Sequence, residues 1–482
     1  MRPPQNPAVS ALRYLSTRQS AVPNESRSFE DILLAGLAPD GGLYVPVELP
    51  RFDAGEIRRL GRLDYPSLAA EIMAPVLGGA LEPAELRALL RDAYAGFTHP
   101  AVAPLKQLGR DQWLLELFHG PTLAFKDYAL QVLGPLFDRV LARRGERVTI
   151  VGATSGDTGS AAIEACRDRA SVDIFILYPQ GRTSEVQRRQ MTTVEAANVH
   201  TLAVEGSFDD CQDLVKALFA DIGFRERHNL SAVNSINWAR IAAQIVYYFA
   251  AATALGAPDR TVSFAVPTGN FGNVYAAHIA RGMGLPIERL VIGTNRNDIL
   301  YRFIETGEMR ISTVEPSLSP SMDIQVSSNF ERMLFELAGR DGVRLAELMR
   351  NFRTTGELAA GPGIWAKARA LFTAHRLDDD GTRAMIATIY RETGELLDPH
   401  SAVAVSAMRE KGSVPGVPCV ALACAHPAKF PDIVERATGR RPALPPHLAD
   451  LMTRQERINI VPNDLATIRS FIAARARQGS AA

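Results

Sequence analysis

The sequence predicts an α/β protein whose parallel sheets are wound with helices on both faces. Beyond Val102, short β-rich runs alternate with helical patterns of ten or more residues, the mark of strand–helix–strand units. At 482 residues the chain exceeds one minimal core and implies two or three domains or lobes. Its composition, 46% hydrophobic and 22% charged, is that of an ordinary globular protein.

From Tyr14 to about Pro100 the pattern is helical and broken by turns. Ser28 to Leu34 reads as a capped helix start, and Pro39 to Pro46 as a tight turn into a short extended segment. Residues 1–100 form an N-terminal domain, its first dozen residues a flexible extension. The strands expected beyond it are Val148 to Val151, Asp173 to Tyr178, His200 to Val204, Thr261 to Val266, Arg289 to Ile292 and Cys419 to Leu422. They lie in a region of residues 101–445, with a smaller mobile lobe at about 145–235 and a helical lobe at about 333–392. A helix should follow Thr122, a possible cap, and be kinked or interrupted by Gly134-Pro135. Residues 446–482 read as a helical tail.

Several functions are disfavoured. Lys+Arg and Asp+Glu are equal at 53 each, so no global field gathers a polyanion, and no basic block marks a nucleic-acid surface. Cys166, Cys211, Cys419 and Cys424 show no metal spacing, which fits a reducing, cytoplasmic setting without a zinc site. The uncharged run Ile241 to Pro258 contains Gln244 and ends in proline, so a buried helix is expected rather than a membrane span. The N-terminus lacks the apolar core of a secretory signal.

Chemistry concentrates in a few stretches. In Glu116 to Gln131, Lys126 stands among apolar and aromatic neighbours near a helix start. There the helix dipole and desolvation both lower an amine's pKa, as attack on a carbonyl to form a Schiff base requires; a solvated surface lysine is the plain alternative. Ligands of open α/β sheets bind beyond the carboxyl ends of strands. After Val151, Gly152 to Ser160 offers Thr154, Ser155, Asp157 and Thr158 at a helix N-terminus, a receptor for a carboxylate or simply a well-capped helix. It lacks the Gly-Lys-Ser/Thr ending of a nucleotide loop. After Val266, Gly269, Asn270, Phe271, Gly272 and Asn273 can turn successive N–H groups onto a phosphate monoester, or form an ordinary turn. After Leu422, Cys424 can face a ring nitrogen or be a buried structural cysteine, while His426 and Lys429 read as packing and surface residues. Off the strands, Ser327, Ser328, Asn329 and Arg332 suit a second phosphate, and Asn234 opens an apolar helix as a cap or a substrate contact.

An amine, a carboxylate-type loop, a phosphate-type loop and a small polar residue on a late strand together suit pyridoxal phosphate. On these motifs, from Tyr14-Leu15-Ser16-Thr17-Arg18 through Asp40-Gly41-Gly42-Leu43-Tyr44 to His426-Pro427-Ala428-Lys429-Phe430, the chain resembles threonine synthases of the longer bacterial and fungal branch. The resemblance implies a fold-type II architecture like that of the tryptophan synthase β family, with two parallel-type αβα lobes plus an N-terminal domain. It implies a cofactor carried by Lys126, a phosphate cradle at 269–273, and, with Ser155, Asp157 and Thr158, the loop that meets the substrate carboxylate and the cofactor's edge. It further implies O-phospho-L-homoserine as the small-molecule substrate and a monomer or homodimer. Cys424 stands where the family usually offers threonine to the pyridine nitrogen, and a thiol is the weaker hydrogen-bonding partner. A phospholyase or dehydratase releasing a keto acid, and an inactive cofactor-binding protein, are the competing expectations.

Overall fold

A computed structural model of the chain describes residues 12–19, 26–232 and 235–477. At its centre a six-stranded sheet runs in the order Phe372–Arg376, Ile287–Thr294, Val262–Pro267, Cys419–Ala423, Gln112–Glu116 and Leu105–Gly109. Only the last pair is antiparallel. A second sheet has five parallel strands, ordered Asn459–Pro462, Val199–Glu205, Val172–Pro179, Val148–Ala153 and Leu230–Ser231. Strands covered on both faces read as unbroken apolar runs, and Val172–Pro179 is buried at every position. All six runs expected from the sequence are strands of these two sheets.

The N-terminal region pairs Tyr14–Ser16 with Tyr44–Pro46 and adds four helices. The first, Phe29–Ala35, is closed by a reciprocal Ser28–Asp31 capping box. The apolar run at 241–258 falls largely within the helix Trp238–Ala254, which packs on Tyr65–Leu77, Lys126–Arg144 and Gly272–Gly282. Among the described residues no helix is long and apolar enough to cross a membrane.

Three expectations about elements change. The helix Lys126–Arg144 runs uninterrupted through Gly134-Pro135. Gly134 answers a packing demand: a Cβ there would lie 2.1 Å from the carbonyl oxygen of Ala165 on the adjoining helix Asp157–Cys166. The stretch 333–392 is not purely helical, because Phe372–Arg376 joins the central sheet as an edge strand. The C-terminal tail likewise contributes a strand, Asn459–Pro462, to the five-stranded sheet before its helix Leu465–Arg475 buries Ile468 and Ile472.

Candidate active site

The parallel neighbours Gln112–Glu116 and Cys419–Ala423 deliver two chain segments to one place. Beyond their carboxyl ends the Phe125 N–H donates to the Cys424 carbonyl at 2.8 Å, so Lys126 begins its helix beside the end of a central strand. Thr122 does not cap that helix. Its N–H and hydroxyl bind the Asp127 carboxyl at 2.8 and 2.7 Å, while Phe125, at the cap position, makes no side-chain cap.

Lys126 is only 8% exposed, so it is no solvated surface cation. Its Nζ donates to Ser321 Oγ at 3.2 Å and to Asp157 Oδ2 at 3.4 Å. Burial holds the amine below the usual lysine range against the attraction of Asp157, and the charges of Lys429 and Arg240 push the same way as burial. Ser321 also connects the lysine to the glycine turn, since a Cβ on Gly269 would lie 3.0 Å from the Ser321 carbonyl oxygen. The amine and the 269–273 turn are therefore joined through a single residue.

In that turn Phe271 is left-handed (φ 60°) and leads into the helix Gly272–Gly282. Asn273 is pinned through Oδ1 by the hydroxyls of Tyr247 and Tyr248 at 2.5 and 2.7 Å, and its Nδ2 faces Cys424 Sγ at 3.9 Å. Burial pushes the Cys424 thiol far above its ordinary pKa, so it stays a neutral thiol.

The loop after Val148–Ala153 is organised from within, for Thr154 Oγ1 accepts the N–H groups of Gly156 and Gly159 at 3.0 and 2.9 Å. Ser155 and Thr158 remain partly exposed at its mouth. Asp157 carries a negative charge itself, so within this loop an anion would be met by the hydroxyls and N–H groups and not by this carboxylate. Burial alone would raise its pKa, but Lys429, Lys126 and His400 outweigh burial and hold the carboxyl well below the usual range. Lys429 Nζ lies 2.8 Å from Asp157 Oδ1, which also accepts from Gln187 Nε2 at 2.9 Å.

The residues expected at a second phosphate bind the glycine turn and one another. Ser327 Oγ donates to the Gly269 carbonyl at 2.6 Å, Ser328 Oγ to Asn270 Oδ1 at 3.0 Å, and Asn329 Nδ2 to the Asn270 carbonyl at 3.0 Å. These residues form the rear wall of the glycine turn. Arg332, 0% exposed, spends its guanidinium on the carbonyls of Tyr44 (2.9 Å) and Ile236 (2.6 Å) and on Asn329 Oδ1. Each of its three nitrogens thus donates into the scaffold, the geometry of a brace. Asn234 lies outside the described residues.

Sequence reasoning passed over three contributors. Lys429, read as a surface residue, is fully buried and donates to Asp157 and to the Thr122 carbonyl, both at 2.8 Å. Ser321 was legible only as one more serine of a polar run. Its N–H donates to His400 Nε2 at 3.3 Å, and His400 Nδ1 donates in turn to Asp398 Oδ2 at 2.7 Å, an arrangement that puts the imidazole proton on Nδ1. An Asp-Pro-His helix start carries no local sign of such a role.

Family descriptions match in succession along the chain: Threonine synthase N terminus over residues 13–94, Pyridoxal-phosphate dependent enzyme over 98–368, and Threonine synthase, C-terminal over 401–472. A threonine synthase of Pseudomonas aeruginosa is 56% identical over 469 residues, covering 97% of this chain and 99% of the relative. The chain belongs to the threonine synthase family. The solved structure of the PLP-bound threonine synthase from Brucella melitensis superposes with a TM-score of 0.94 at 51% identity, covering 97% of this chain and 100% of that one. The yeast threonine synthase superposes at 0.92 with 40% identity over 97% and 99% of the two chains. The fold is thus that of fold-type II pyridoxal-phosphate enzymes, and pyridoxal phosphate is the cofactor of this family member.

Proposed function

We propose that this family member converts O-phospho-L-homoserine and water to L-threonine and inorganic phosphate, with pyridoxal phosphate attached at Lys126. The observation that carries the reading is the buried Lys126 amine, held between Ser321 and Asp157 and joined through Ser321 to the glycine turn. The residues present fit the cofactor. A desolvated amine suits its aldehyde, a turn of glycine and asparagine at the N-terminus of an 11-residue helix suits its phosphate, and the neutral Cys424 thiol suits its ring nitrogen. Bound there, pyridoxal phosphate supplies a sink for the electrons left at carbon when the substrate loses a proton.

The chain's own residues divide the remaining work. Lys126 Nζ, once free of the cofactor, is the base that takes and returns the substrate's protons. Ser321 Oγ, within 3.4 Å of Asp157 Oδ2 and 3.2 Å of Lys126 Nζ, orients that amine. The N–H groups of Gly269 to Asn273 hold the cofactor phosphate, with Ser327 and Asn329 fixing the turn from behind. The partly exposed Ser155 and Thr158 receive the substrate carboxylate at the N-terminus of Asp157–Cys166. The four cysteines are unpaired and buried, in accord with a cytoplasmic setting, where the protein acts as a monomer or homodimer.

Incubation of the purified protein with pyridoxal phosphate and O-phosphohomoserine should release phosphate and threonine in equal amounts, and Lys126→Ala should abolish both. Phosphate accompanied by a keto acid would replace the reading with a phospholyase. No product from a protein that has taken up its cofactor would leave only a binding function.

A further inference from the structure

Two buried lysines share one carboxylate at this site, and the sharing is unequal. Asp157 Oδ1 meets Lys429 Nζ at 2.8 Å, whereas Oδ2 meets Lys126 Nζ at 3.4 Å. Lys429 has a second fixed acceptor, the Thr122 carbonyl at 2.8 Å, and no exposure to solvent. Among the described residues Lys126 has only the Ser321 hydroxyl besides Asp157. An ammonium has three N–H donors and no acceptor, so the lysine with the two closer oxygen partners is the one built to keep its charge.

We infer that Lys429 is a positioning residue: as the standing counter-ion of Asp157, it claims the carboxylate and leaves Lys126 in the neutral form that attacks the cofactor aldehyde. This rests on Lys126 being the attachment site. The remaining groups around the pair agree in direction. Lys126 is faced by Asp157 from the helix Asp157–Cys166, by Lys429 from the turn Pro427–Lys429, by Arg240 from the helix Trp238–Ala254, and by the Cys424 thiol. Asp157 is the group among them that favours the charged amine, and it is faced by Lys429, Lys126 and His400. Asp127, which Lys429 also influences, is bound by the N–H and hydroxyl of Thr122. The contact further spans elements distant in sequence, since Asp157 opens a helix beside the five-stranded sheet while Lys429 follows a strand of the central one.

The test reads the amine directly. The full-length chain is freed of cofactor by dialysis, and the rate of pyridoxal phosphate attachment is followed by visible absorbance as a function of pH. Attachment joins the amine nitrogen to the aldehyde carbon with loss of water, so its rate tracks the neutral fraction of the amine. Lys429→Gln should move the pH midpoint alkaline by about one unit and slow attachment near neutrality up to tenfold. Lys429→Arg should restore the midpoint in part. Asp157→Asn should move it the opposite way, which keeps the inference testable if Lys429→Gln does not fold. A lowered thermal midpoint with an unmoved attachment profile would reduce Lys429 to a structural tie and overturn the inference. Borohydride reduction and peptide mapping of each product separate the two levels: cofactor on a different lysine would overturn the site assignment itself, and this inference with it.

Discussion

A guanidinium buried, among the described residues, without a carboxylate in contact is costly unless its nitrogens find oxygens, and each nitrogen of Arg332 donates to one, on two backbone carbonyls and an amide. Burial pulls its pKa down to about 10, still far above neutrality, so it remains a cation. It ties the helix Phe330–Leu337 to the strand Tyr44–Pro46 and to the chain before Trp238–Ala254. Arg332→Met should therefore strand the Tyr44 carbonyl, at about 1–3 kcal/mol. The thermal midpoint should fall by several degrees while KM for the phosphorylated substrate changes less than twofold. A large rise in KM with unchanged stability would return Arg332 to the substrate phosphate. The residue looked like a ligand in the sequence because arginine beside serines is the chemistry of phosphate binding. Nothing in a linear pattern tells which way such a side chain turns, and the same holds for Lys429, whose burial depends on a loop more than 300 residues earlier in the chain.

Elements were more legible than side chains, for reasons that differ by strand. Inner strands such as Val148–Ala153 and Val262–Pro267 are apolar because helices cover both their faces, and their patterns stood out. Gln112–Glu116 begins with a polar residue and ends with a charged one, and Phe372–Arg376 is an edge strand with His375 and Arg376 at its end, so neither announced itself. The glycine and proline at 134 and 135 were read for their backbone effect, whereas Gly134 is required by the space between two helices. Those helices carry Lys126 and Asp157 at their first positions, so their spacing sets the distance between amine and carboxylate. Gly134→Ala would gain helix propensity but drive a methyl group into the Ala165 carbonyl. Overpacking of this kind costs about 1–3 kcal/mol. The variant should melt at a lower temperature and also bind pyridoxal phosphate more weakly, measured by equilibrium dialysis, although it touches neither site residue. Unchanged affinity in a destabilised variant would show that the two helix starts are held independently of their packing.

Across the whole molecule, protons couple to folding through imidazoles buried in separate places. Burial pushes His200, stacked on Phe175 in the five-stranded sheet, His278 in the helix Gly272–Gly282, and His426 beyond the central strand Cys419–Ala423 each down to about 4. Each folded-state value lies below that of the unfolded chain, roughly 6.5. Their contribution to stability is therefore complete above pH 6.5 and is lost as pH falls toward 4. Asp127 opposes this, because burial raises its carboxyl to about 6. The folded state takes up that proton first, so the Asp127 contribution is complete below about pH 4 and is lost as pH rises through 6. Near pH 5 these three imidazoles hold about three more protons in the unfolded chain and Asp127 about one fewer, a net excess of about two from these four groups, and burial of His228, His375 and His447 acts in the same direction as the imidazoles. These four groups should then lower the unfolding free energy by roughly 2–3 kcal/mol for each unit of acidification in that range. Urea midpoints of the cofactor-free chain between pH 7 and 4.5 measure it. Replacing His278 with an apolar residue of similar size should lower the slope by about a third to a half, whereas a slope that is flat or reversed would mean that Asp127, and not the imidazoles, governs the acid limb.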